Sequence, residues 1–355
     1  MTVLVTGGAG FIGSNLVDEL MTQGMEVRVI DDLSEGKLEN LKRWQGHKKF
    51  QFIQGSILDY DLVRRACDHV SCVFHLAADS RIQTGITDPR HSIETNVVGT
   101  ANVAEAARQM GVKRIVYSAS SSAYGRKNDW IFKKEDIVDD LRSLTGASEE
   151  ALSGYREFYS KGLREDLPTD CLNPYSMSKK AGEDVMDVYH RLYGLSTISL
   201  RYFNVYGPRH QEEGRYATVI AIFRRQLRHN KRLTIVGDGE QRRDFTFVGD
   251  VVRANMLAMM NMEATGVFNI GTGANYSINE LAAEISGIPE GSERWNDTVE
   301  YIPPRLGEAR ITLADNTKAR EILGWHPQIS LKFGLAVIDQ FEKKVGLPSG
   351  IILAP

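Results

Sequence analysis

Three observations predict an α/β fold in which a doubly wound parallel sheet carries a smaller carboxyl-terminal lobe. First, a glycine-rich turn at residues 6–13 joins an apolar run (3–5) to an amphipathic segment (14–23). Second, another apolar run, 26–30, ends in the paired acids Asp31 and Asp32. Third, further β-branched runs alternate with helix-like segments, the pattern of a parallel sheet covered on both faces. At 355 residues the chain exceeds one ordinary core, which implies two lobes. Strand, glycine turn, helix, strand and acid in that order make the first half Rossmann-like.

The opening turn is the most informative element. Gly7, Gly10 and Gly13 let a strand bend sharply into a helix, bring backbone N–H groups against a pyrophosphate and aim the positive helix end at it. Asp31 stands where a carboxylate accepts both hydroxyls of an adenosine ribose. Strands are expected at 27–30, 50–53, 72–76, 114–117 and 196–202. Periodicity through Ile93, Val97, Thr100 and Val103 predicts one helix over 91–110, closed by Gly111. A second helix is expected over 175–193, ending at Gly194. Ligands of such sheets gather beyond the carboxyl ends of the strands, so the loops after Ala77, Ser118 and Phe203 are the expected site.

Past Gly207-Pro208 the elements shorten to a helix over 216–230, a strand at 233–236, a Gly237-Asp238-Gly239 turn and a strand at 245–248. Residues 126–172 lack a strand pattern, are too long for a plain connection and read as a surface helical insertion. The expected division assigns 1–205, with about 243–272, to a nucleotide-binding domain and 206–242 plus 273–355 to a substrate lobe.

Composition narrows the function. A net charge of −3 with mixed signs gives no basis for a nucleic-acid or membrane partner. The basic clusters at 47–49, Lys133-Lys134 and 224–232 read as solvated helix faces. Cys67, Cys72 and Cys171 are too few for a disulfide framework and lack metal-ligand spacing, so a reducing compartment and no metal are expected. No apolar stretch reaches the length of a membrane span, and the amino terminus enters the first strand without a cleavage site; a cytoplasmic location is expected.

Tyr175 and Lys179 place a phenol and an ammonium four residues apart on one helix face. A free tyrosine has a pKa near ~10, so a neutral-pH base requires roughly three units of preference for phenolate, about 4 kcal/mol. A neighbouring lysine and a cationic nicotinamide supply that preference together.

With this pair in place the chain resembles the extended short-chain dehydrogenase/reductases, and among them the nucleotide-sugar epimerases related to UDP-glucose 4-epimerase. The likeness runs through the glycine turn, residues 31–36, His75-Leu76-Ala77-Ala78, Asn96, 118–125, Asn173-Pro174-Tyr175, 201–208, 237–244 and Arg305-Leu306-Gly307-Glu308. It implies that Ser120 hydrogen-bonds the sugar O4, with Ser121 and Ser122 beside it, and that Tyr175 takes the O4 proton. Lys179 then holds the nicotinamide ribose and favours the phenolate. The implied reaction passes hydride from sugar C4 to NAD+, turns the 4-keto sugar over, and returns the hydride to its other face.

The same resemblance assigns the cofactor contacts. Gly7, Gly10, Phe11, Ile12 and Gly13 would line the pyrophosphate; Asp31, with Asp32, Ser34 and Gly36, would surround the adenosine ribose. Ser56 and Ile57 would meet adenine, and Leu76, Ala77, Ala78, Asn96 and Tyr202 would lie along the rest. An acid at position 31 repels a 2′-phosphate, which selects NAD. Ser56 replaces the aspartate usual in the family.

For a UDP-sugar, Asn204, Arg243 and Arg305 would contact the diphosphate, a task suited to guanidinium groups. Thr234 and Val236 fall on the strand that meets uracil, Val236 replacing an aromatic residue of some relatives. Thr312 is small where a tyrosine restricts other members to unmodified hexoses, so UDP-GlcNAc/UDP-GalNAc or their uronic acids are expected alongside UDP-Glc/UDP-Gal. The serine loop lacks the Asp-Glu pair of 4,6-dehydratases and the glutamate of decarboxylases, leaving C4 epimerisation. The open alternatives are another extended short-chain enzyme on a nucleotide sugar (a uronic acid epimerase, dehydratase or decarboxylase) or a non-catalytic NAD-binding protein. The resemblance also implies a homodimer through a four-helix bundle built from the helix before Gly111 and the helix of Tyr175.

Overall fold

The computed structural model describes residues 1–80, 82–127, 148, 162–212, 217–305 and 307–344. In chain order its strands are β1 (Thr2–Thr6), β2 (Glu26–Asp31), β3 (Phe50–Gln54), β4 (Cys72–His75), β5 (Arg114–Ser120), β6 (Ser196–Tyr202), β7 (Val205–Tyr206), β8 (Leu233–Val236), β9 (Arg242–Arg243), β10 (Thr246–Phe247), β11 (Gly266–Ile270), β12 (Tyr276–Ser277) and β13 (Val299–Ile302). Seven of them form a parallel sheet in the order β11-β6-β5-β4-β1-β2-β3. Strand alternation sends Val3, Val5 and Phe74 into one helix layer and Leu4, Ile30 and Val73 into the other. Both faces are buried, which is why these strands read as nearly continuous apolar runs. The order reverses between β1 and β4, so the chains leaving these strands diverge and open a crevice at their carboxyl ends.

The expected fold class is therefore the one present, a Rossmann-like doubly wound α/β sheet. A third apolar cluster, including Ile220, Phe223, Ile235, Leu281 and Leu335, lies between β8 paired with β13 and the helices Val219–Arg228, Ile278–Ser286 and Leu331–Lys344.

Four local expectations change. The single helix over 91–110 is three pieces: Pro89–Ile93, a π-helical turn Glu94–Val98 and Gly99–Gln109. It starts early because Pro89 occupies the first turn and the Asp88 carboxylate accepts the His91 N–H at 3.1 Å. The wide turn carries the buried Asn96, whose side chain bonds to the Asp79 backbone. In place of a strand over 245–248, only Thr246–Phe247 pairs, with β7, and Val248 opens a helix to Met260. That helix packs Val251, Ala254 and Met256 under the sheet, and an apolar run so fully buried carries no periodicity to distinguish helix from strand.

The third change concerns charge. Arg224 and Arg228 are not on a solvated face: their side chains are 0% and 4% exposed. Arg224 grips the Glu342 carboxylate at 3.0 and 2.8 Å and also bonds Asp339, while Arg228 bonds Glu212. These acids come from the distant carboxyl-terminal helix and from the 207–212 loop, partners that no local pattern identifies. Fourth, the helix expected over 216–230 runs Val219–Arg228, with the Thr218 hydroxyl accepting at its amino end; Tyr216 lies outside the described residues. The insertion expected at 126–172 lies for the most part outside the described residues, as does Lys133-Lys134.

Candidate active site

The crevice holds a cleft of about 260 Å³ floored by the glycine turn. Gly7 adopts a φ of +71°, and a Cβ there would stand 2.7 Å from the Ala77 nitrogen. A Cβ on Gly13 would stand 2.2 Å from the Gly7 carbonyl oxygen. Helix Phe11–Thr22 begins at Gly10 with no side chain capping it, so its first N–H groups are left for a ligand in the cleft. At the far end Asp31 is buried and held on both oxygens, by the Ala9 N–H at 2.9 Å and the Leu33 N–H at 2.8 Å. Burial pushes its pKa up, against the pull of those N–H groups. Asp32 accepts the Ser34 N–H at 2.9 Å, and a Cβ on Gly36 would lie 2.8 Å from an Asp31 oxygen. An uncapped helix start, a cradle that excludes side chains and a fixed carboxylate fit NAD.

Phe11, Ile12, Ser56, Ile57, Leu76, Ala77, Ala78 and Tyr202 line the same cleft. Asn96 does not. It lies behind the wall, its amide donating to the Asp79 carbonyl and the Ser178 hydroxyl, both at 2.9 Å, and its oxygen accepting the Asp79 N–H at 2.8 Å. Nearby, His75 is fully buried between Thr6 (2.7 Å) and Thr100 (2.9 Å). The Thr100 hydroxyl donates to the Asn96 carbonyl, so His75 Nε2 carries the proton and Nδ1 accepts from Thr6. Burial, reinforced by Lys179, drives the His75 pKa down to about 3 and keeps the ring neutral.

Helix Pro174–Tyr193 brings Tyr175 and Lys179 to this wall. It starts on a reciprocal capping box: Asn173 Oδ1 accepts the Ser176 N–H at 2.8 Å, and the Ser176 hydroxyl accepts the Asn173 N–H at 3.1 Å. One turn on, Lys179 is buried and donates to the Ser118 carbonyl at 2.8 Å, with its Nζ 5.1 Å from the Tyr117 ring centroid. Burial lowers its pKa to about 8, opposed by the carboxylates of Glu35, Glu183 and Asp79. Tyr175 lines both this cleft and a second cavity of about 480 Å³. Tyr202 also borders both, its hydroxyl tied to Ser118 and Asn255 at 3.0 Å each and its pKa pushed up to about 12 by burial.

The second cavity collects every expected substrate residue: Ser120, Ser121, Ser122, Asn204, Thr234, Val236, Arg243, Arg305 and Thr312. The Ser120 oxygen accepts both the Ser122 hydroxyl at 2.9 Å and the Ser122 N–H at 3.2 Å, which leaves its own proton to donate. The Thr312 hydroxyl accepts the Asn204 amide at 2.8 Å and the Asp244 N–H at 3.1 Å. It thereby anchors Asn204, whose φ is +20°. Arg243 is held by the carbonyls of Arg242 and Arg310 at 3.1 and 3.2 Å and lies 3.5 Å from Glu308; burial lowers its pKa. Arg305 is exposed at the rim. On β8, the Thr234 N–H and the Val236 carbonyl are occupied by Gln226 (3.2 Å) and Gln241 (2.8 Å).

Sequence reading missed the residues that bridge the cleft mouth. The Ser80 hydroxyl donates to the Glu35 carboxylate at 2.8 Å, and the Gln211 amide donates to the Glu35 carbonyl at 2.6 Å, joining three separate loops. Glu35 sits inside the 31–36 motif and was legible as loop, but its partners are set by tertiary structure alone.

Residues 3–146 match the family model described as NAD dependent epimerase/dehydratase family, and residues 147–337 match that described as GDP-mannose 4,6 dehydratase. The UDP-glucose 4-epimerase of Mycolicibacterium smegmatis is 37% identical over 343 residues, covering 96% of this chain and 98% of that protein. Among solved structures, UDP-glucose 4-epimerase of Thermotoga maritima with UDP-glucose aligns with a TM-score of 0.79 at 35% identity, over 97% of this chain and 99% of that one. The UDP-N-acetylglucosamine 4-epimerase of Methanobrevibacter ruminantium, in complex with UDP-N-acetylmuramic acid, aligns with a TM-score of 0.79 at 29% identity, over 97% and 98%.

Proposed function

Because the chain belongs to the NAD-dependent epimerase/dehydratase family of nucleotide-sugar enzymes, we propose that it inverts C4 of a UDP-sugar. UDP-GlcNAc/UDP-GalNAc is the leading pair, with UDP-Glc/UDP-Gal accepted as well. The observation that carries this reading is Tyr175 at the junction of the two cavities, with Lys179 one turn below it and Ser120 on the sugar side. Bound NAD supplies the hydride acceptor and donor for C4. Tyr175 takes the O4 proton and returns it, Ser120 donates to O4, and the Lys179 ammonium favours the phenolate over the phenol. Arg243 and Arg305 hold the diphosphate, fixing the sugar end against Tyr175.

Among the described residues of the second cavity the one carboxylate is Glu308, and it faces Arg243. Dehydration at C5 and C6 needs an acid and a base beside the sugar, and the serines at 121 and 122 supply neither; this favours epimerisation. The compact Thr312 supports a pocket that accepts a 2-acetamido group.

The homodimer reading is supported by exposed apolar side chains on the helix of Tyr175 (Met177, Val188 and Leu192) and by Val98, at the end of the π-helical turn that leads into Gly99–Gln109. Three free cysteines favour a reducing, cytoplasmic setting, and no described helix is long and apolar enough to cross a membrane. We divide the chain into an NAD-binding domain, 1–205 with about 243–272, and a nucleotide-sugar lobe; pairing of β11 with β6 supports the return to the first domain. Mass spectrometry together with proton NMR on a panel of UDP-sugars tests the reaction. Conserved mass with a new epimer is expected, while loss of water or carbon dioxide would replace this reading with a dehydratase or a decarboxylase.

A further inference from the structure

The loop that carries Arg305 does not hang free over the substrate cavity. Its next described residue, Gly307, accepts a hydrogen bond at 3.0 Å from Nδ2 of Asn173, the residue that caps the helix of Tyr175. The amide orientation is settled by its neighbours: Oδ1 must face the Ser176 N–H, so Nδ2 must face the Gly307 carbonyl. Asn173 is 9% exposed, so the bond is partly shielded from water. The contact is also tight. Gly307 has a φ of +79°, and a Cβ there would stand 3.1 Å from Ile86 and 3.7 Å from the Asn173 Cβ. One side chain thus fixes both the start of the base-bearing helix and the loop flanked by Arg305 and Glu308.

We infer that Asn173 is a positioning residue that sets the register between the diphosphate-binding loop and Tyr175, so that nucleotide binding delivers the sugar to the base. The inference rests on the reading of Arg305 as a diphosphate contact. Capping and loop-holding use opposite ends of the amide and can be separated. Asn173→Asp keeps an oxygen for the Ser176 N–H, in the position where acids cap well, and removes the donor to Gly307. Asn173→Ser does the same with a shorter side chain and serves if the aspartate disturbs folding.

The test measures UDP affinity by calorimetry together with kcat and KM on the epimerised sugar, in wild type, Asn173→Asp, Arg305→Ala and the double variant. Loss of the hydrogen bond, with a carboxylate oxygen now facing the Gly307 carbonyl, predicts a rise of at least about fivefold in UDP Kd and in KM for Asn173→Asp, with kcat held and the thermal midpoint lowered by a few degrees; Asn173→Ser, which adds no charge, should show the same rise in Kd and KM. In the Arg305→Ala background the same change should add little, since the loop then has no cation to position against the diphosphate. Unchanged KM and Kd in Asn173→Asp, or a fall in kcat alone, would overturn the inference and leave Asn173 a helix cap. If Arg305→Ala itself leaves UDP affinity intact, the diphosphate reading fails instead, and that result is distinguishable from the first.

Discussion

The ammonium of Lys179 donates to the carbonyl of Ser118 at 2.8 Å, where β5 approaches the serine loop. This bond ties the helix that carries Tyr175 to the strand that carries Ser120, so the two groups expected at the sugar O4 are set by one lysine. The same burial that makes the bond strong lowers the lysine pKa to about 8.

That value predicts the alkaline limb of the pH profile. Lys179 is charged below its pKa, and in its proposed role it favours the Tyr175 phenolate only in that form. kcat is expected to be level through neutrality and to fall as pH rises through about 8. Lys179→Met should lose roughly two to three orders of magnitude in kcat at neutral pH, and Lys179→Arg should move the fall to higher pH. A wild-type profile that stays level well past the lysine pKa would remove Lys179 from this role.

His75 predicts acid lability. Its pKa is about 3 in the folded protein and ~6.5 in an unfolded chain, so the unfolded state binds the extra proton. Stability is therefore intact above about pH 6.5 and declines as pH falls from there toward the folded value, by about 1.4 kcal/mol per unit. Urea unfolding at a series of pH values should show this slope in the wild type and a shallower one in His75→Gln. Equal slopes would mean that carboxylates alone govern acid unfolding.

Thr312→Tyr should abolish turnover of UDP-GlcNAc while UDP-glucose remains a substrate, because the ring fills space beside Asn204. It also removes the acceptor for the Asn204 amide and the Asp244 N–H, which is expected to cost about 1–3 kcal/mol of stability. Thr312→Val separates the two effects: pocket size is kept and the acceptor is lost. Retained UDP-GlcNAc turnover in Thr312→Tyr would show that the acetamido group lies elsewhere.

Gly13→Ala should leave the purified protein depleted of NAD and destabilised, since the new methyl would stand 2.2 Å from the Gly7 carbonyl. Absorbance of cofactor released on denaturation gives the content directly. Full NAD occupancy in this variant would contradict the packing described for the glycine turn.

What could be read from sequence was whatever local pattern encodes. Gly7, Gly10 and Gly13 announce the turn by their spacing, and at Gly7 and Gly13 a side chain would run into backbone; Asp31 follows at the end of the next strand. The helix of Tyr175 was legible from Asn173-Pro174 at one end and Gly194 at the other, where φ is +68°. The π-helical turn at Glu94–Val98 was not, because it answers to Asn96 reaching the Asp79 backbone. Nor was the burial of Arg224, whose partners Asp339 and Glu342 lie more than a hundred residues away in the chain. The second bond of Asn173 belongs to the same class: its capping role is local, and its hold on Gly307 is tertiary.

In the proposed reaction Tyr175 serves C4 chemistry on a UDP-sugar without loss of atoms. Proton NMR of the sugar ring, followed during incubation with UDP-GlcNAc, tests it most directly. The wild type should yield the C4 epimer at unchanged mass, and Tyr175→Phe should retain NAD yet give no epimer. Undiminished epimer formation by Tyr175→Phe, or a wild-type product altered at any carbon other than C4, would contradict the account.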